Sequence, residues 1–187
     1  MSALSELQEG TASAAVQPEG GAVQINQFLT FELAAEIYAI NILFIREIIE
    51  YGNLTQVPMV PDFIAGVINL RGSVVPVIDL SSRFGRNETL ITKRTSIVII
   101  EMTSNNEVLE IGIMVDIVNE VLEISSDAIE DAPSFGASIR TDFISGMGKI
   151  DGKFLIILDV ERVLSLEELS VVSELTIGGE TEVEKGP

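Results

Sequence analysis

The chain has 187 residues, 47% of them hydrophobic, with no cysteine, no histidine and a formal net charge of -18. That length and apolar content suit one domain, or two small intimate ones, with ample material for a core. The absent residue types remove disulfides, thiolate and imidazole chemistry and the usual zinc sites, and the acidic balance argues against nucleic-acid or anionic-membrane partners.

Residues 1–24 carry three acids and no base, and residues 166–187 carry six acids and one base, so the body between them holds the remaining -10. The start lacks the basic and apolar runs of a signal peptide, and no later run approaches the roughly 20 apolar residues of a membrane helix. A soluble cytoplasmic protein without membrane insertion is expected. The lead through Pro18, Gly20 and Gly21 reads as disordered, and order is expected from Ile25.

Phe28, Phe31 and Leu33 pattern as a strand, Ala34-Ala35 as a turn, and Glu36 to Ile42 as a second strand. Ile42, Ile45, Ile48 and Ile49 have helical spacing, so a short helical turn relaxing into strand near Ile48 is predicted. Pro58 and Pro61 punctuate an extended stretch that ends in a turn at Asp62-Phe63-Ile64. The segment GVINLRGSVVPVIDL, Gly66 to Leu80, reads as strand, tight turn at Arg71-Gly72, and strand. Pro76 has no amide hydrogen, which predicts an edge strand or a bulge. Asp79 is placed to cap a helical turn, LSSRFG, closed by Gly85.

Ser96 to Met102 and Val108 to Val115 flank an Asn105-Asn106 turn, and Glu120 to Ile124 is a further short strand. Ser125 to Thr141 is polar and predicts a long loop. Phe143 to Ile150 and Phe154 to Leu158 flank Asp151-Gly152, a hairpin signal, and Asp159 to Leu164 is helical, with an extension through Leu175. The basic cluster Arg83, Arg86, Lys93 and Arg94 reads as the solvated rim of a loop rather than a docking patch.

The chain is written twice. DFIAGVINLRGSVVPVIDLSSRF at 62–84 aligns without gaps on DFISGMGKIDGKFLIILDVERVL at 142–164, with Asp62, Phe63, Ile64, Gly66, Gly72 and Asp79 matched by Asp142, Phe143, Ile144, Gly146, Gly152 and Asp159. Upstream, 39–50 parallels 112–123, Glu47 standing opposite Glu120. Two similar units of about five strands follow, roughly 25–95 and 96–165 with strands expected to cross between them, each too small to bury a core comfortably alone. They are expected to pack as one all-β body of small closed barrels.

Residues present in both copies, Gly66, Gly146, Gly152, Asp79 and Asp159 among them, are assigned to structure. Arg71, by contrast, is answered by Asp151. An arginine required by the scaffold alone would not be replaced by an acid in its twin, so Arg71 is either a solvated turn residue or half of a pair with Glu47 at a groove. The two aspartates, followed by Leu80-Ser81 and Val160-Glu161, do not fit an aspartic-protease dyad, and no phosphate-binding, dinucleotide or calcium-loop motif occurs. No catalytic residue, metal ligand or cofactor site is assigned. A small carboxylate hydrolase remains the rival from another class.

FLTFELAAEIYAINILFIREII, VPMVPDFIAGVINLRGSVVPVIDL and FISGMGKIDGKFLIILDVERVL resemble the CheW family of bacterial chemotaxis coupling proteins, over about residues 25–165. The resemblance implies two intertwined five-stranded SH3-like barrels sharing a core. It also implies a non-catalytic adaptor that bridges the hairpin tips of chemoreceptors to the regulatory domain of the histidine kinase CheA, monomeric in solution and assembling in arrays beneath the membrane. The receptor tip would lie in the groove near Ile45, Glu47, Val67, Asn69, Leu70, Arg71 and Gly72. A scaffold of the same type serving a non-flagellar chemosensory pathway is the nearer alternative.

Overall fold

In a computed structural model, which describes residues 23–132 and 139–165, strands dominate. They are β1 (Ile25–Leu33), β2 (Glu36–Asn41), β3 (Ile45–Glu50), β4 (Ile64–Leu70), β5 (Ser73–Asp79), β6 (Ser96–Ser104), β7 (Glu107–Val115), β8 (Ile117–Ser125), β9 (Ile144–Ile150) and β10 (Lys153–Leu158). Two single-turn helices, α1 (Leu80–Arg83) and α2 (Val160–Val163), follow β5 and β10. The expected disordered lead to residue 22, part of the 125–141 loop and the helical extension from Leu166 lie outside the described residues.

The strands form two five-stranded sheets in the orders β8-β1-β2-β10-β9 and β3-β6-β7-β5-β4. Each position in one order is filled in the other by the strand five places away in sequence, but β3 and β8 have changed sides. One sheet joins the hairpin β1–β2 to β8, β9 and β10; the other joins β6–β7 to β3, β4 and β5. The sheets therefore do not follow a division of the chain at residue 95. Each has one parallel seam, β10 with β2 and β5 with β7, where strands from distant parts of the chain meet.

Small apolar interiors fill the two barrels. One holds Ile68, Val75, Val77, Ile97, Ile99 and Met114, the other Phe28, Ala39, Ile124, Leu155 and Ile157. Between them lies the larger shared core, which includes Phe31, Leu33, Tyr38, Ile78, Leu80, Val98, Ile113, Phe143 and Leu158. All-β architecture with two five-stranded units sharing a core is thus what the sequence led one to expect. α1 and α2 cap this core through Leu80, Val160 and Val163, all buried.

Paired residues with positive φ close the hairpins: Ala34 and Ala35 (49° and 65°), Arg71 and Gly72 (52° and 89°), Asn105 and Asn106 (52° and 65°), Asp151 and Gly152 (48° and 78°). That geometry matches the right-handed strand twist, and asparagine, aspartate and glycine adopt it readily. Alanine does not, and at Ala34 the backbone N–H gains a compensating bond, donating to Asp116 Oδ2 at 2.9 Å. Gly66 and Gly146 serve another need. A Cβ at Gly66 would lie 2.4 Å from the Thr55 carbonyl oxygen, and one at Gly146 would meet Ile129 and the Glu130 carbonyl. There the chain crosses over itself through the bridges Thr55 to Val67 and Glu130 to Met147.

Three local expectations need correction. β3 begins at Ile45, not Ile48, and only Ile42–Phe44 forms a helical turn, of 3-10 type. β8 starts at Ile117 rather than Glu120. Pro76 lies in a central strand, between β7 and β4. It is tolerated because the parallel ladder to β7 begins only at Val77. A bulge is present, but in β4, between Ile64 and Gly66.

Candidate functional site

β3 and β4 are the two ends of one sheet order, and the Arg71-Gly72 turn follows β4 directly. The structure joins these ends through charge. Arg71 Nη1 and Nη2 donate to Glu47 Oε1 and Oε2 at 2.7 and 2.9 Å, a bidentate pair. Of the two possibilities the sequence leaves for Arg71, the paired one is observed. The side chain of Glu47 is 23% exposed and that of Arg71 68% exposed, so the carboxylate is tucked in while the guanidinium faces solvent.

The hydrogen bond from Arg71, helped by the charges of Arg71 and Arg46, holds the Glu47 carboxyl below the usual carboxylate range against a desolvation that pushes it up. The same bond raises the already high pKa of Arg71, so the pair stays ionised. Two of the guanidinium's donors are committed, and the rest of the fork is presented outward. The turn beneath it is fixed locally, since Gly72 N–H donates to Asn69 Oδ1 at 2.9 Å.

Not every residue expected at the groove shares one surface. Leu70 packs against the barrel interior with Ile68, whereas Val67, out of step with Ile68 in the strand alternation, faces outward. Val67 is held there by its backbone exchange with Thr55, 2.8 Å in both directions. Ile45 packs against the shared core. The structure therefore brings together Glu47, Asn69, Arg71 and Gly72, with Ile45 on the same strand as Glu47, and sets Val67 and Leu70 on opposite faces of β4.

Arg46 is not among the residues expected at the groove. The β3–β6 register slips between Ile45 and Glu47, so Arg46 is the extra residue of a bulge. It pairs with Glu101 at 2.8 Å and also with Glu110. Only the two glutamates' place on neighbouring strands, visible as a β6–β7 hairpin in the sequence, offered a hint of this.

The two aspartates matched in the repeat are engaged by local donors. Asp79, only 3% exposed, accepts from Ser81 N–H at 3.0 Å and from Thr89 N–H and Oγ1 at 2.8 and 2.7 Å. Asp159 accepts from Arg162 N–H at 3.1 Å. A carboxylate so fully occupied as Asp79 is a tether, not an acid–base group. Among the described residues, no group of three or more acidic side chains is arranged to hold a metal ion. No helix among them is long and apolar enough to cross a membrane.

The basic cluster divides. Lys93 and Arg94 are exposed, as expected. Arg83 and Arg86 are not a solvated rim: Arg86 pairs with Glu36 at 2.7 Å, and Arg83 Nε donates to the Val163 carbonyl at 2.9 Å. The Arg83 guanidinium lies 4.9 Å from the ring centres of both Phe63 and Phe143. Those phenylalanines are each other's counterparts, and so are positions 83 and 163, which places Arg83 where the two copies meet.

Comparison with known proteins agrees with this architecture. The family profile described as the CheW-like domain matches residues 27–168. The chemotaxis protein CheW of Klebsiella aerogenes is 36% identical over 149 residues, covering 80% of this chain and 87% of its own length. That of Bacillus subtilis is 37% identical over 142 residues, covering 75% and 88%. The solved structure of the scaffolding protein TtCheW from Thermoanaerobacter tengcongensis superposes with a TM-score of 0.68 at 33% identity, covering 79% of this chain and 92% of that one.

Proposed function

Because this chain belongs to the CheW-like family, whose members are non-catalytic chemotaxis scaffolds, we propose that it couples the cytoplasmic hairpin tips of chemoreceptors to the regulatory domain of the histidine kinase CheA. The observation that carries this reading is the exposed, bidentate Arg71–Glu47 pair across the ends of one sheet. A guanidinium held through both terminal nitrogens by a carboxylate loses little freedom on binding, and its remaining donors suit the polar residues at the tip of a helical hairpin. Asn69 and Gly72 shape the turn on which it stands, and Ile45 adds an apolar flank. Val67, on the outer face of β4, borders the turn, whereas Leu70, on the inner face, supports it from the barrel interior.

The related barrels offer related but unequal ends, which suits head-to-tail contact with a kinase domain built on the same fold. In this reading the chain is monomeric in solution and gains effective affinity within an array at the inner face of the membrane, where weak contacts act together. Residues 25–165 carry the function.

Co-sedimentation of a receptor cytoplasmic fragment, the kinase and this chain tests the proposal. Arg71→Asp should abolish recruitment of the chain to receptor complexes while Arg71→Ala weakens it, each with an unchanged unfolding midpoint. Undiminished recruitment of Arg71→Asp would remove the assigned site, and no complex with the unaltered chain would remove the function.

A further inference from the structure

β6 and β7 set Glu101 directly opposite Glu110. Two carboxylates facing each other across an antiparallel pair repel. What relieves them is a residue from a third strand: Arg46 Nη1 donates to Glu101 Oε2 at 2.8 Å and also contacts Glu110 Oε1. The bulge in β3 makes this reach possible, because Ile45 stands opposite Ile100 and Glu47 opposite Ile99, leaving Arg46 as the inserted residue beside them. Glu47, the very next residue, carries Arg71.

Three carboxylates and two guanidiniums thus share one edge of the barrel, and their assignment is not arbitrary. Glu110 lies close enough for its charge to act on Arg71, and Arg46 close enough to act on Glu47. With Arg46 in place, both glutamates of the β6–β7 pair are satisfied and Arg71 is left to Glu47 alone. Without it, Glu101 and Glu110 carry uncompensated charge beside the one remaining guanidinium.

We propose that Arg46 is a positioning residue for the recognition pair, occupying Glu101 and Glu110 so that Arg71 is held by Glu47 with its outward donors aimed at a partner. The inference rests on the assignment of Arg71 and Glu47 to recognition, and one of its two readouts is independent of that assignment.

The experiment uses the full chain as Arg46→Gln, Arg46→Lys and the double variant Arg46→Gln/Glu110→Gln. Carbon-13 NMR follows the titration of the Glu47 carboxyl, and binding of a soluble chemoreceptor cytoplasmic fragment is measured in parallel. Arg46→Gln should move the Glu47 midpoint upward and weaken fragment binding about threefold, the scale of an exposed charge pair. Adding Glu110→Gln should restore fragment binding and reverse part of the titration shift, the remainder being the lost charge of Arg46 itself, and Arg46→Lys should show neither change in full. A merely structural role predicts a lowered unfolding midpoint with the Glu47 titration unmoved, and that result, or failure of Glu110→Gln to restore binding and reverse part of the shift, overturns the proposal. If the unaltered chain does not bind the fragment, the recognition reading fails while the titration still decides what Arg46 does.

Discussion

Asp79 and Asp159 occupy equivalent places at the start of equivalent helical turns, yet removing them should have unequal effects. As helix caps alone, each is worth about 1 kcal/mol. Asp79 does more: its carboxylate also accepts the backbone N–H and hydroxyl of Thr89, which is 9% exposed, and so ties the loop after α1 to the end of β5. Truncation to alanine leaves those donors buried, each at about 1–3 kcal/mol. Asp79→Ala should therefore cost about 3–7 kcal/mol, lowering the melting temperature by about 10–20 °C for a domain of this size. Asp159→Ala, whose carboxylate caps one amide from a partly exposed position, should cost about 1 kcal/mol. Urea unfolding followed by circular dichroism measures both. A Thr89→Val change combined with Asp79→Ala should show coupling of about 1 kcal/mol or more. Equal losses for the two aspartates, or strict additivity with Thr89→Val, would refute the assignment of Asp79 as a tether.

Three further expectations follow from the geometry. The Tyr38 hydroxyl is pushed up to about 12, mainly by burial and then by its hydrogen bond to Glu36; the unfolded chain releases this proton near pH 10, so the stability it contributes is complete below that and is lost as pH rises toward 12. Urea midpoints taken across pH 9–12 should fall less steeply in Tyr38→Phe, by about 2–3 kcal/mol at the upper end. Gly66→Ala, which drives a Cβ into the Thr55 carbonyl, should destabilise by about 2–3 kcal/mol, whereas Gly72→Ala, with open space around it, should cost about 1 kcal/mol from backbone strain alone. Arg83→Met should lose the bond to Val163 and the two ring contacts, about 2 kcal/mol by thermal unfolding, while Lys93→Met, an exposed change, should be neutral.

Hairpins were the most legible part of the fold, because three of their turns carry asparagine, aspartate or glycine, which tolerate positive φ: Asn105-Asn106, Gly72 after Arg71, and Asp151-Gly152. β3 was misread at its start for a definite reason. Burial alternates regularly from Ile45 to Glu50, but Ile48 is an apolar residue on the exposed side, and with Ile42 in the preceding turn it gives the isoleucines a helical spacing. Pro76 was assigned by its missing donor, but how far a neighbouring ladder extends depends on a strand more than thirty residues away.

The contrast of Arg71 with Asp151 draws attention to Arg71, whose pairing with Glu47 the structure shows, since an asymmetry within a repeat is local information. Arg46 with its two glutamates, and Arg83 with its two phenylalanines, depend on which strands and turns meet in space. No spacing in the chain encodes that.

The changed allegiance of β3 and β8 also sets an order of events. Residues 45–115 contain β3 to β7 without interruption, so that barrel is complete in the chain once β7 has been made. The β1–β2 hairpin is made first but has no partners of its own until β8, β9 and β10 follow, and its apolar face waits longest for cover. The chain thus threads a late-closing unit around an early one, with the long-range seams of β1 with β8 and β2 with β10 formed last. Pulse-labelled hydrogen exchange during refolding should accordingly protect β6 and β7 before β1, and simultaneous protection would mean that the two barrels condense as a single nucleus.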